Sequence, residues 1–182
     1  MISLAPEVRV DAKKISAAFE FAKRAHAGQS RFSGAPFLEH PKAVAELCLV
    51  VKEDTNLICA ALLHDVLEDT NTPPSVIEYE FGEDVVNLVL AVTKNNALPK
   101  SVQDVALHAN VVRASKKDSR VLILKLMDVL HNLETCSVLP EHRCKGVVHM
   151  AEHFYYPLIG EVELNGLEER FEKALFAARE YV

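Results

Sequence analysis

The sequence predicts an all-α protein, a helical bundle built as a single domain, and three observations carry that expectation. Apolar residues recur three and four positions apart along nearly the whole chain, which is the spacing of a buried helix face. Two segments, near Leu57–Leu67 and Val121–Leu133, are apolar on almost every side, as central helices are. The length of 182 residues suits one domain, or a core with a helical extension, and is enough to bury a large interior.

The elements follow in order. Asp11 is a suitable N-cap for a helix carrying Ile15, Ala18, Phe19, Ala22 and Ala25, which Gly28 can close. A loop rich in Gly, Ser and Pro leads to His40, and Pro41 fits the first turn of a second helix with Val44, Leu47, Cys48 and Val51. A third helix is expected from about Thr55 to Glu68. Thr72-Pro73-Pro74 restarts the chain into a short helix ending at Phe81-Gly82, and Glu83 to Lys94 reads as another. After a loop from Asn95 to Lys100, Ser101 with Asp104 resembles a capping box. Ser119 to Cys136 reads as the second central helix; Val121–Leu124 alone fits a strand, but the continuing pattern favours helix. A helix from Pro140 to about Tyr156, a break at 157–160 and an amphipathic helix near 165–182 complete the chain.

Composition excludes several functions. A net charge of −6 opposes general nucleic-acid binding, which needs a basic face, yet leaves room for a small phosphorylated substrate attracted by a cation and local Lys and Arg. No apolar run reaches the roughly 18 to 20 residues of a membrane span, and the opening Met1–Glu7 lacks a basic flank and an apolar core, so a cytoplasmic protein with no membrane partner is expected. Cys48, Cys59, Cys136 and Cys144 lie apart without a C-x-x-C pair, and buried reduced thiols are expected rather than a disulfide or a zinc knuckle.

Chemistry concentrates in two places. His64, Asp65, Glu68 and Asp69 follow a wholly apolar approach and fall on one arc of roughly 140° of a helix. Burying unpaired carboxylates is costly, so this arc calls for water, partners or a cation. Asp128, His131, Asn132 and Thr135 lie at i, i+3, i+4 and i+7, one polar stripe on an otherwise apolar helix. Either group alone could be a hydrogen-bonded core network. Two together, with His40 opening a third helix, favour an internal cleft that binds something. Two imidazoles and two carboxylates without a thiolate suit Mn²⁺, Fe²⁺, Co²⁺ or Zn²⁺, and the oxygen donors tilt the choice to Mn²⁺.

The ordered series Ala25-His26-Ala27-Gly28-Gln29-Ser30-Arg31-Phe32-Ser33-Gly34-Ala35-Pro36-Phe37-Leu38-Glu39-His40-Pro41, Ala60-Ala61-Leu62-Leu63-His64-Asp65-Val66-Leu67-Glu68-Asp69-Thr70, Phe81-Gly82, Val92-Thr93-Lys94 and Leu124-Lys125-Leu126-Met127-Asp128-Val129-Leu130-His131-Asn132 resembles the HD hydrolase domain of the RelA/SpoT family. It covers about residues 11–136, and the helices of about 140–182 suit the stand-alone members, the small alarmone hydrolases or Mesh1-like proteins. The resemblance implies one HD-type helical domain over residues 1–182 and a metal-dependent 3′-pyrophosphohydrolase of alarmone nucleotides, (p)ppGpp or (p)ppApp, that releases pyrophosphate. It implies His40, His64, Asp65 and Asp128 as ligands of Mn²⁺ or another divalent transition metal. Glu68 and Asp69 would orient or deprotonate the attacking water, Arg31 would lie against the nucleobase, and Asn132 and Thr135 would contact the nucleoside.

Two positions depart from the family pattern. Phe32 stands where a second basic residue is common, which leaves guanosine and adenosine alarmones equally open, and Val129 replaces an arginine. Other residues have simpler readings: His26 as a structural histidine, His142, His149 and His153 as surface residues, and Phe154-Tyr155-Tyr156 as core or a homo-oligomer contact. The rival functions are an HD phosphohydrolase of other nucleotides and a nucleotide-sensing module without turnover.

Overall fold

Asp11 caps the first helix as its position predicts, its carboxylate accepting from the amides of Lys13 and Lys14. The computed structural model describes residues 10–182, so the opening Met1–Glu7 lies outside the described residues. Ten α-helices are formed among them: α1 Ala12–Ala25, α2 Glu39–Val51, α3 Thr55–Leu63, α4 Val66–Asp69, α5 Pro74–Phe81, α6 Glu83–Val92, α7 Lys100–Ser115, α8 Arg120–Glu134, α9 Glu141–Met150 and α10 Leu167–Arg179. The described residues contain no strand, only an isolated antiparallel bridge between Ser30 and Pro36 in the loop before α2. The all-α expectation holds, and no helix among the described residues is long and apolar enough to cross a membrane.

Two helices are buried along their length, as their composition requires. Every residue of α3 from Leu57 to Leu63 is buried, as is α8 from Val121 to Leu130 except Lys125. Helix α3 packs against α1, α2 and α6, while α8 packs against α2, α7, α9 and α10. One hydrophobic cluster therefore runs from Ala18 to Ala178, with Tyr155 and Phe171 brought into it from the C-terminal helices.

Arg120 ties the starts of three helices together. Its guanidinium donates to both Asp84 oxygens at 2.8 and 2.6 Å and to both Asp118 oxygens, the nearest at 2.7 Å, and it reaches Asp54 at 3.3 Å. Asp54 is the N-cap of α3, accepting from the Leu57 amide. Asp84 lies in the first turn of α6, and Asp118 precedes α8.

Four local expectations need correction. The single helix from Thr55 to Glu68 breaks after Leu63 and resumes as α4, with His64 and Asp65 in a turn between them. The capping box at Ser101 is not formed: α7 begins at Lys100 after Pro99, so Ser101 is already inside the first turn, and Asp104 pairs with Lys94 at 2.9 Å instead. The helix after Pro140 does not run straight to Tyr156; it ends at Met150, widens through a π turn at 151–155 and tightens into a 3₁₀ turn at 156–161. Cys136 and Cys144, expected as reduced thiols, are joined as a disulfide. The short turn at 136–138 folds α9 back on the end of α8 and brings their Cα atoms to 5.4 Å, inside the range a disulfide needs. Cys48 and Cys59 are free and buried as expected, and burial raises their thiols to about 12 and about 11.

Candidate metal centre

Three side chains, one from α2 and two from the turn between α3 and α4, meet where the apolar helices turn polar. His40 lies in the first turn of α2, and His64 and Asp65 occupy the turn between α3 and α4. One ligand atom from each lies within 4.8 Å of the other two, so the three could hold a metal ion. The Nε2 of His64 is 3.2 Å from Asp65 Oδ1, and the Nε2 of His40 is 3.7 Å from Asp65 Oδ2. Asp128 of α8 stands beside this trio, its Oδ1 at 3.1 Å from His40 Nε2 and 3.8 Å from His64 Nε2. His40, His64 and Asp128 are 3, 5 and 7% exposed, making them three of the four buried polar or charged side chains among the described residues.

The hydrogen bonds of His64 fix its tautomer and provide a test of fit. Its Nδ1 lies 2.7 Å from the carbonyl oxygen of Ala61, an acceptor only, so Nδ1 carries the proton. The buried Nε2 is then an unprotonated lone pair and has no hydrogen-bond partner. Its polar neighbours are the carboxylate oxygens of Asp65 and Asp128. A lone pair buried among carboxylate oxygens is a repulsive arrangement that a cation converts into an attractive one. Two neutral imidazoles and two carboxylates also balance a divalent charge.

Charges around Asp128 prepare it for such a role. Burial raises its carboxyl, but its polar surroundings, the ammonium of Lys125 foremost, outweigh this and hold it well below the usual carboxylate range. Lys125 donates to Oδ2 at 2.7 Å, and the Nδ2 of Asn132 donates to Oδ1 at 2.8 Å. The ring of Tyr155 lies 5.5 Å from the Lys125 ammonium. Lys125 is thus a site residue that the sequence reading did not assign, although its position three residues before Asp128 places it on the same face. His131 is another, its Nδ1 meeting the Nδ1 of His40 at 2.8 Å.

The acidic pair leaves this centre along α4. The Oε2 of Glu68 accepts from the backbone amide of Lys94, just past the end of α6, at 3.0 Å. Asp69 is exposed; desolvation on its inward side, then repulsion from Asp65 and Glu68, raises its carboxyl. Gln29 holds this turn by donating to the Asp69 carbonyl at 2.9 Å, and its own Oε1 lies 2.8 Å from His26 Nδ1. His26 is buried and stacks on Phe37 at 4.5 Å, in keeping with a structural histidine.

The opposite wall carries the residues expected to face a nucleoside. Arg31 donates to the Oδ1 of Asn132 at 3.4 Å, so one asparagine links Arg31 to Asp128. Thr135 lies one turn further but spends its hydroxyl on the His131 carbonyl at 2.8 Å. Of the departures, Val129 is buried in the core, and Phe32 is 58% exposed with the Arg143 guanidinium over its ring. His142, His149 and His153 are exposed, and Tyr155 is core.

Residues 18–161 match the family described as HD domain. The guanosine-3′,5′-bis(diphosphate) 3′-pyrophosphohydrolase of Aquifex aeolicus is 35% identical over 165 residues, covering 91% of this chain and 24% of that protein. The bifunctional (p)ppGpp synthase/hydrolase SpoT of Escherichia coli K12 is 33% identical over 169 residues, 91% of this chain and 24% of the relative. The chain therefore spans about a quarter of the length of these relatives. A solved structure of a metazoan ortholog of SpoT, described as hydrolysing ppGpp with a role in starvation responses, superposes with a TM-score of 0.78 at 28% identity, covering 93% of this chain and 97% of that one.

Proposed function

This chain belongs to the HD domain family, and we propose that it is a metal-dependent 3′-pyrophosphohydrolase of alarmone nucleotides, (p)ppGpp or (p)ppApp. The observation that carries the reading is the buried, bare Nε2 of His64 facing two carboxylates. The activities named for its relatives supply the substrate class. One hydrophobic cluster shared from α1 to α10 supports treating the chain as a single HD-type domain with the C-terminal helices as its extension.

In this reading His40, His64, Asp65 and Asp128 hold the metal, for which the donor set favours Mn²⁺. When bound, the divalent cation acidifies water and withdraws charge from the phosphoryl oxygens. Glu68 is positioned by the Lys94 amide through one oxygen, leaving the other to accept a proton from the attacking water. Asp69, next to it on α4 and with its carboxyl raised, would help orient or deprotonate that water, and the proton passes on to the leaving 3′-oxygen. Lys125 keeps Asp128 ionised inside an apolar helix. Arg31 and Asn132 orient the nucleoside so that water reaches the phosphorus attached to the ribose 3′-oxygen. The bond from that phosphorus to the 3′-oxygen breaks, giving intact pyrophosphate and a nucleoside that keeps its 5′-phosphates.

The test is purified protein with Mn²⁺ against a nucleotide panel, with pyrophosphate and orthophosphate counted separately. Pyrophosphate as the first product of an alarmone supports the assignment. Orthophosphate first, or turnover of simple nucleotides alone, moves it to a different HD phosphohydrolase.

A further inference from the structure

Helix α4 is a single turn, four residues from Val66 to Asp69, and so short a helix does not keep its shape without outside support. Two ties supply it, one for each acid. The Lys94 amide grips the side chain of Glu68, and Gln29 grips the backbone of Asp69, its Nε2 donating to the carbonyl oxygen at 2.9 Å. Gln29, Glu68 and Asp69 line one polar cleft of about 530 Å³. Because a carbonyl only accepts, the carboxamide of Gln29 is oriented: its Oε1 points back to His26 and receives the Nδ1 proton at 2.8 Å. The Nε2 of His26 is then a bare lone pair, buried without a partner in a side chain that is 3% exposed.

Stability does not account for this arrangement. The Asp69 carbonyl lies at an exposed position, where water replaces a lost donor at little cost. A buried, unpartnered nitrogen is itself destabilising. What the imidazole offers and an apolar ring lacks is an N–H aimed at Gln29. Gln29 stands two residues before Arg31, in the loop whose Phe37 stacks on His26 at 4.5 Å and donates its amide to the Gln29 carbonyl at 3.1 Å. One glutamine therefore fixes α4 against the loop that carries Arg31 and leads into His40.

We propose that Gln29, locked in place by His26, is a positioning residue for Glu68 and Asp69, setting the distance between the acidic pair and the substrate-facing loop. This rests on the hydrolase reading above and adds two residues to its machinery. Both act through the Asp69 backbone, so their loss slows the chemical step without removing a ligand or an acid.

The experiment uses the purified full chain with Mn²⁺ and an alarmone, and reads kcat, KM and melting temperature. Gln29→Leu and His26→Phe should each lower kcat by about 10 to 100 fold with KM little changed, the effect of acids slightly out of place. His26→Phe keeps the ring on Phe37 and discards the bare nitrogen, so it should melt at or above the wild type. His26→Asn puts an amide N–H where Nδ1 was; it should melt lower, having lost the stack, yet recover most of kcat. The double variant Gln29→Leu with His26→Phe should be no slower than Gln29→Leu alone, because the histidine acts through the glutamine. Turnover that follows melting temperature across the variants means a merely structural pair and overturns the proposal, as does full turnover in Gln29→Leu. Hydrogen exchange of the α4 amides, followed by mass spectrometry, should quicken in Gln29→Leu and His26→Phe but not in His26→Asn; unchanged exchange in all three also overturns it. If the wild type cuts no alarmone, the hydrolase reading fails while the exchange rates still decide whether Gln29 holds the acids.

Discussion

The Nδ1 atoms of His40 and His131 face each other at 2.8 Å, so one proton serves both rings. If the Nε2 of His40 gives its lone pair to a cation, its Nδ1 must carry the proton and donate it to His131. His131 must then be unprotonated at Nδ1. Burial above all pushes its pKa down to about 4, which keeps the ring neutral and able to accept. The second imidazole thereby sets the tautomer of the first.

From this pairing, His131→Ala is expected to weaken Mn²⁺ binding by about 10 to 100 fold without abolishing it, the usual effect of removing the partner of a metal-bound histidine. Titration calorimetry on chelator-stripped protein measures it. An affinity equal to that of the wild type would show that the contact does not orient His40.

The ligand set itself is tested by heat. Adding Mn²⁺ to the stripped protein should raise its melting temperature, because an ion that binds only the folded chain stabilises it by mass action. His64→Ala and Asp128→Ala should each eliminate the rise. Asp128→Ala also strands the half-buried ammonium of Lys125, so it should melt below the stripped wild type even without metal. A wild type whose melting curve ignores Mn²⁺ would refute the site.

Glu68→Gln and Asp69→Asn separate the work of the acids from that of the ligands. Both variants should retain the Mn²⁺-induced stabilisation while turnover falls by about 10² to 10⁴ fold, the range for a lost proton acceptor. Parallel loss of metal affinity and turnover in both would make them ligands instead.

The fourth expectation concerns acid stability and lies far from the metal. Hydrogen bonds from Arg120 lower the carboxyls of Asp84 and Asp118 against the opposing effect of burial. Folded values below the unfolded value of about 3.9 mean that the unfolded chain takes up protons first as pH falls. Their stabilisation is therefore complete at neutral pH and is lost as the solution is acidified through and below about pH 4. Arg120→Met should be less stable than the wild type at pH 7, with the gap narrowing as pH drops below about 4. Urea midpoints at a series of pH values will show whether the two curves converge.

Much of this was legible in the sequence because period and polarity report directly on burial. The apolar runs ending in His64 and interrupted by Asp128 mark the two central helices, and the all-α class follows from them. His40, His64, Asp65 and Asp128 do converge as the motifs suggested. What escaped was set by tertiary contact. The Lys94 amide on Glu68 joins the ends of two helices 26 residues apart, and no local pattern reports such a bond. The break at His64-Asp65 was hidden because the apolar pattern continues across it. The Cys136–Cys144 pairing depends on a reverse turn that the spacing of eight does not reveal.

The knot around Arg120 has a consequence at the other end of the molecule. It gathers the beginnings of α3, α6 and α8, while His64 follows the last residue of α3, the amide that holds Glu68 follows α6, and Asp128, His131 and Asn132 lie in the second half of α8. The three helices thus run in the same sense, and the carbonyl-rich, partially negative ends of α3 and α6 border the site. The acidic residues bound to Arg120 stabilise the positive ends. The fold therefore presents a standing negative potential where the metal is expected, independent of any single ligand. That field favours a cation, and the ammonium of Lys125, 2.7 Å from Asp128, offsets part of it from within.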